Sequence, residues 1–198
     1  MVAAIVLAAG ESKRMNSPKA LLPIQGENFA ECIAGKIRAC GIDAVYLVAG
    51  AHYETIKSAF DENRKPFEIL LNARHQEGQL LSLQEGLRHL PAGARAALVW
   101  PVDQPLVKEE TALMLINAFN RERATITIPM HAGRRGHPVI YEAKAIKTLL
   151  SFGGRQTAKD LQSIYAAETC IVEVGDPAVL IDIDTPEDYS KYITGADF

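Results

Sequence analysis

Several features are scarce in this 198-residue chain, and each scarcity excludes a class of protein. There are only three cysteines, Cys32, Cys40 and Cys170. Their number is odd and their spacing fits no metal site, which excludes a disulfide scaffold and a zinc ribbon. We read free thiols in a reducing, cytoplasmic setting, with Cys32 and Cys40 at buried helix positions. An excess of one charge is also missing: 21 basic residues face 24 acidic ones, for a net charge of −3. That leaves no basic surplus for a nucleic-acid backbone. No apolar run reaches the roughly 18–20 residues that cross a bilayer. Met1 to Gly10 is apolar, but no basic segment precedes it, so it reads as a strand and not as a leader. Glycines are present but not in a nucleotide fingerprint: Gly10 stands alone until Gly26. Both G-x-G-x-x-G and G-x-x-x-x-G-K-[ST] are absent, which argues against an NAD-dependent oxidoreductase and a P-loop enzyme. Ser82 lacks the G-x-S-x-G context of a hydrolase elbow. His52, His75, His89 and His131 have no zinc-site spacing.

What is present is an ordinary globular composition, 48% hydrophobic, enough for a core without staples. Val2 to Leu7, Ala44 to Ala49, Phe67 to Leu71 and Ala96 to Trp100 are continuous apolar runs, as expected of parallel strands buried on both faces. Between them the apolar spacing turns helical. Phe29, Ile33, Ile37 and Cys40 form one stripe, closed by Gly41. Tyr53, Ile56, Ala59 and Phe60 form a second. Leu80, Leu83, Leu87 and Leu90 form a third, stopped by Pro91. Ala112, Leu113, Ile116 and Phe119 form a fourth. Later come strands at Thr125 to Pro129, His137 to Tyr141, Glu168 to Val174 and Val179 to Ile183. Helices are expected near Ala143 to Leu150 and Thr157 to Ile164. A last helix opens at Thr185-Pro186-Glu187, a threonine cap followed by proline in the first turn. Strands alternating with helices predict an α/β fold, a single domain over residues 1–198 with a mostly parallel sheet.

Ligands of open α/β sheets bind beyond the carboxyl ends of the strands. The loop after the first strand runs Leu7-Ala8-Ala9-Gly10-Glu11-Ser12-Lys13-Arg14-Met15-Asn16-Ser17-Pro18-Lys19. Its small residues allow close backbone approach, and its three cations suit a polyphosphate; a solvated basic loop is the competing reading. The loop Pro101-Val102-Asp103-Gln104-Pro105 places a carboxylate at a strand end, where it can hold a metal or cap a turn. Asp182 and Asp184 alternate with isoleucines, so in a strand both would point to one face, where a cation could lie between them.

Together these segments resemble a known family. Leu7 to Met15, with Lys19 and Leu21-Leu22-Pro23, is similar to the signature L-A-A-G-x-S-x-R-M-G…K-x-L-L-P of nucleotidyltransferases of the molybdenum cofactor type. The likeness continues through Gly78 to Leu87, Pro101 to Pro105, Arg135 to Pro138 and Asp182 to Asp188, in family order. The resemblance implies a Rossmann-like, nucleotide-diphospho-sugar transferase (GT-A-type) fold: three layers, α/β/α, around a mixed, mostly parallel sheet. Residues 1–105 would form the nucleotide-binding half and residues 106–198 the acceptor side. Ala9, where guanylyltransferases carry glycine, together with Gly136-His137-Pro138, places the likeness nearest the cytidylyltransferase branch. Two departures stand out. Asn16 replaces a glycine, and asparagine tolerates left-handed backbone angles. Phe152-Gly153-Gly154-Arg155-Gln156-Thr157 replaces a segment like G-D-x-G-A-R.

The implied reaction moves CMP from CTP to the terminal phosphate of molybdopterin and releases pyrophosphate. Arg14, Lys19 and Asp103 are the implied catalytic residues. Leu7, Ala8, Ala9, Gly10, Arg14, Lys19, Gly78 and Ser82 would bind nucleotide, and Gly136 and His137 would border the acceptor. Asp103 and Asp184 would hold Mg²⁺, with Asp182 as a further ligand or behind the ligands, and Mn²⁺ as a substitute. A molybdenum enzyme or its maturation chaperone would be the downstream partner; nucleic acid and membrane are not expected. Two alternatives stand beside this: a transferase of the same fold using another nucleotide or another phosphorylated acceptor, such as a sugar phosphate, and a non-catalytic cofactor-binding maturation factor.

Overall fold

A computed structural model describes residues 1–60, 66–153 and 156–195. Among these described residues ten strands form: β1 (Val2–Ala8), β2 (Pro23–Ile24), β3 (Glu27–Asn28), β4 (Val45–Ala49), β5 (Glu68–Leu71), β6 (Ala96–Pro101), β7 (Ile126–His131), β8 (Arg134–Arg135), β9 (Val139–Glu142) and β10 (Thr169–Glu173). The helices are α1 (Phe29–Ala39), α2 (Tyr53–Ala59), α3 (Gln79–Arg88), α4 (Glu109–Glu122), α5 (Ala143–Ser151), α6 (Ala158–Ile164) and α7 (Pro186–Tyr189). The main sheet runs β10-β7-β9-β6-β1-β4-β5, with β8 folded back on β7; β2 and β3 form a separate hairpin. Along that path only β9 runs against the others. The two halves expected from the resemblance share this one sheet, because β9 pairs with β6.

The apolar runs explain the centre. β1 is bordered by β4 and β6, so its alternate residues enter two different cores. Ala4, Val6 and Ala8 face Phe29, Ile33 and Ile37 of α1 and Leu115 and Phe119 of α4. Ile5 faces Leu83 and Leu87 of α3, with Leu149 of α5 and Leu161 of α6 on the same side. This is the expected three-layer α/β/α arrangement. Gly86 lets α3 settle onto the sheet, since a Cβ there would lie 2.7 Å from Ile5 Cγ2. The start of α1 is fixed by a capping box: the Asn28 side chain accepts from Glu31 N at 3.0 Å, and the Glu31 carboxylate accepts from Asn28 N at 3.3 Å. Gly41, at φ +78°, follows the helix end.

Two local expectations are corrected. Val179 to Ile183 is not a strand. Pro177–Leu180 is a 3-10 turn, and residues 181–184 join no sheet. The cause is buried Asp176, whose carboxylate accepts from Ala178 N, Lys108 N and the Thr111 hydroxyl and so folds the chain into a turn. Cys32 and Cys40 are half-buried, not buried, and all three cysteines are free. The helix at Thr185 forms as expected, with Thr185 Oγ1 accepting from Asp188 N at 3.1 Å.

Candidate active site

The loop after β1 doubles back. Ser12 and Asn16 adopt left-handed φ values of 49° and 51°, the conformation that asparagine tolerates where the family has glycine. Met15 N donates to Ser12 O at 3.0 Å, and Lys19 N donates to Ser12 Oγ at 3.3 Å. A 3-10 turn over Lys19–Leu21 then buries Ala20 in the core and sends the Lys19 side chain back across the strand ends. The result is a cleft of about 430 Å³ bounded by Leu7 to Arg14, Lys19, His75, Gln79, Ser82, Pro101 to Asp103 and Asp184.

At its floor lies a charge junction assembled from three distant segments. Lys19 Nζ donates to Asp103 Oδ2 at 3.0 Å and to Asp184 Oδ1 at 2.5 Å. Arg14 Nη2 donates to the other Asp184 oxygen at 2.9 Å. Burial acts to lower the Lys19 pKa, but the two carboxylates outweigh it and the ammonium is held more firmly charged than usual. The Asp103 pKa is raised as well, which disfavours its charged form: burial pushes it up, and Lys19 only partly offsets that. Asp184, paired with Lys19 and Arg14, is lowered. Two neighbouring carboxylates are thereby driven apart in acidity by their surroundings.

The junction also tests the expected metal. Two hard oxygen donors converge on one point, and a cation, the Lys19 ammonium, already lies there. That donor set fits Mg²⁺ or Mn²⁺, which take one or two carboxylates and fill the remaining positions with water and phosphate oxygens. Among the described residues no group of three or more His, Cys, Asp or Glu side chains could hold a metal. Asp182 makes no contact with Lys19; its carboxylate accepts from Gln104 Nε2 at 2.7 Å instead. Residues 181–184 join no sheet, yet Ile183 is buried in the core while Asp182 is exposed, so the alternation survives without strand pairing.

The other predicted residues separate into two regions. Leu7, Ala8, Ala9, Gly10 and Ser82 line the cleft, and Ser82 Oγ is held by Asn72 Nδ2 at 2.9 Å. Gly78 instead lies on the wall of a second cavity of about 750 Å³. The two cavities meet at Leu7, Gln79 and Pro101. The second is walled on one side by Leu80, Leu83, Val99, Tyr141 and Phe152, and elsewhere by polar side chains including Arg74, Glu77, Gln84, Arg88 and His137. Gly136 lines neither cavity. It is buried against Val179, whose carbonyl lies where a Cβ would be, so its role in the structure is packing. Gly153, Gln156 and Thr157 lie on the second cavity's wall; residues 154 and 155, in the segment that departs from the family, lie outside the described residues.

His75 is the residue sequence reasoning passed over. It lines the nucleotide-side cleft, and its buried Nδ1 has no hydrogen-bond partner among the described residues. A Cβ on Gly50 would come within 2.6 Å of both His75 Cβ and Ala9 O, so Gly50 is what lets the loops after β1, β4 and β5 close together. The strand-end rule applied to the run Phe67 to Leu71 would have found His75.

Burial lowers the pKa of His137 below the ordinary 6.5, against the attraction of Asp182 and Asp103. As pH falls through 6.5, the unfolded chain takes up a proton before the folded one does. Stability therefore declines from 6.5 down to the folded value. Urea midpoints measured near about pH 7.5 and about pH 5.5, on either side of the ordinary histidine value, should show a smaller decline in His137→Asn than in the wild type. An equal decline would assign the slope to other groups.

Comparison with known proteins identifies the family and the fold. The MobA-like NTP transferase domain family matches residues 4–170. A nicotine blue oxidoreductase from Paenarthrobacter nicotinovorans is 30% identical over 154 residues, 72% of this chain and 71% of that protein. A probable molybdenum cofactor guanylyltransferase from Geobacillus is 23% identical and covers 98% of each. The bifunctional GlmU of Xanthomonas oryzae is 30% identical over 120 residues, and the matched stretch covers 26% of its length. Among solved structures, Rv0371c of Mycobacterium tuberculosis in complex with manganese shares the fold, with a TM-score of 0.77, 22% identity and 98% of each chain covered.

Proposed function

Because this chain belongs to the MobA-like NTP transferase family and is a nucleotidyltransferase, we propose that it transfers CMP from CTP to the terminal phosphate of a molybdopterin-type acceptor and releases pyrophosphate. One observation carries the reading: a charged cleft suited to a triphosphate opens directly into a larger cavity with both apolar and polar walls. Its leucines, Tyr141 and Phe152 suit the faces of a flat heterocycle, and its amide and charged side chains can meet the heterocycle's polar edges. Ala9, with glycine's place taken by a methyl, narrows the base side toward a pyrimidine.

In this reaction an oxygen of the acceptor phosphate attacks the α-phosphorus of CTP. A new P–O bond forms as the bond to the β-phosphate oxygen breaks, and pyrophosphate departs with the electron pair. The nucleophile is already an anion, so no strong general base is needed; alignment and charge neutralisation supply the catalysis. Lys19 and Arg14 would neutralise the triphosphate and the leaving group. Backbone N–H groups of Ala8 to Gly10 would approach the nucleotide, with Ser82 beneath it. Asp103 and Asp184 would hold Mg²⁺ or Mn²⁺, whose charge would offset that of the phosphates. Neutral His137 would border the acceptor without adding charge. The product would then pass to a molybdenum enzyme or its maturation chaperone.

A different phosphorylated acceptor is the second reading, favoured by one observation: Phe152, Gly153, Gln156 and Thr157, in the segment that departs from the family pattern, line the acceptor-side cavity. A pyrophosphate-release assay crossing CTP, GTP, ATP and UTP with molybdopterin and with sugar phosphates decides between them. We expect release only with CTP plus molybdopterin. Release with a sugar phosphate would move the chain to the second reading. Nucleotide binding without any release would make it a non-catalytic maturation factor.

A further inference from the structure

The segment that carries Asp184 has no regular structure to hold it. Residues 181–184 lie between a 3-10 turn and α7 and pair with no strand. Yet the Asp184 carboxylate must stay opposite that of Asp103 if both are to share one cation. Two contacts fix this. Ile183 N donates to Asp103 O at 2.8 Å. One residue further along one strand end and one residue back in the other segment, Gln104 Nε2 donates to Asp182 Oδ1 at 2.7 Å. A single contact would be a hinge; two side by side set both the separation and the rotation of the two carboxylates.

Gln104 is built for this and for little else. Its side chain is buried, while Asp182 is exposed. Its own carbonyl accepts from Trp100 Nε1 at 3.0 Å, which anchors it to the core. Its side-chain Oε1 is buried with no partner among the described residues. Burying an amide with half its hydrogen-bonding capacity unused is unfavourable, so such a group calls for a reason beyond packing.

We propose that Gln104 is a positioning residue for the cation site, acting through Asp182 to hold Asp184 opposite Asp103. It rests on the nucleotidyltransferase reading above. Asp182 thereby takes the place of clamp partner and not of metal ligand.

The test is Mn²⁺ binding to the full chain in the presence of CTP, followed by the electron paramagnetic resonance of free Mn²⁺. Groups that orient metal ligands are commonly worth 10- to 100-fold in affinity. Gln104→Leu, which keeps the bulk and removes the donor, should weaken Mn²⁺ binding by about ten-fold or more. Asp182→Ala should do the same, and Gln104→Leu combined with Asp182→Ala should be no worse than either alone. Asp182→Asn keeps an acceptor for Gln104 and should recover most of the affinity, which loss of a ligand charge would not allow. Thermal melting of each variant provides a check on folding. The proposal is overturned if Gln104→Leu binds Mn²⁺ like the wild type, or if Asp182→Asn is as weak as Asp182→Ala. Failure of the underlying reading looks different: the wild type itself would then bind no Mn²⁺ with CTP, or would bind it equally well as Asp103→Asn.

Discussion

Asp103→Asn should fold, bind CTP, and turn over about 10²–10³-fold more slowly, the range seen when one preorganised electrostatic group is removed from an active site. The substitution is nearly isosteric, so it opens no cavity. The Asp103 backbone carbonyl still accepts from Ile183 N, so the Asp184 segment keeps that anchor. What disappears is one of the two charges facing Lys19. A half-buried carboxylate carries a desolvation cost that the amide lacks, so stability should change by less than about 1 kcal/mol in either direction. Pyrophosphate release beside a thermal melt checks both halves of the expectation. A folded variant with a rate within about three-fold of wild type, well inside one factor of ten on the barrier scale, would remove Asp103 from the cation site.

Lys19→Met should affect the molecule twice. Catalytically it removes a cation facing the triphosphate, and kcat/KM for CTP should fall by about 10²–10³-fold. Structurally it leaves Asp103 and Asp184 facing each other without their shared ammonium. Breaking a fully buried pair costs about 3–5 kcal/mol. Here the carboxylates remain 27% and 35% exposed, so about 1–3 kcal/mol is expected after solvent screening. A divalent cation should then repair the variant. With the ammonium gone, Asp103 has no cationic partner and Asp184 keeps only Arg14, so Mn²⁺ added without nucleotide should raise the variant's melting temperature by more than the wild type's. Equal shifts in the two proteins would mean that lysine and metal do not compete for one place. Unchanged CTP kinetics would reassign the loop after β1.

The residues that failed and succeeded in the sequence reading differ in one physical respect. Val2 to Leu7 and Ala96 to Trp100 announce themselves because a strand buried on both faces needs apolar residues at every position. The α1 helix announces itself because Asn28, Glu31 and Gly41 act on neighbours within a few residues. Asn16 and Thr185 are legible for the same reason: their conformations depend on local sterics and local hydrogen bonds. The loop after β1 and Asp103 could be singled out because strand ends are where an α/β sheet binds ligands. The missing strand at 179–183 was only partly legible. Asp176 caps the 3-10 turn through Ala178 N, two residues on, and Pro177 follows it, which is a local turn signal. What fixes that turn in place is Lys108 N and Thr111, 68 and 65 residues away, and no local pattern encodes those contacts.

Sequence alone therefore determined the α/β class, most of the element boundaries and the loops that border the site, since these follow from periodicity, capping and turn preferences acting over short stretches. Tertiary structure alone decided the site itself. Lys19 meets Asp103 from 84 residues away and Asp184 from 165. Whether two carboxylates share a cation depends on distances of a few ångströms between such segments, and those distances are set by packing: Ile183 in the core, Gln104 against Trp100, and Gly50 beneath His75.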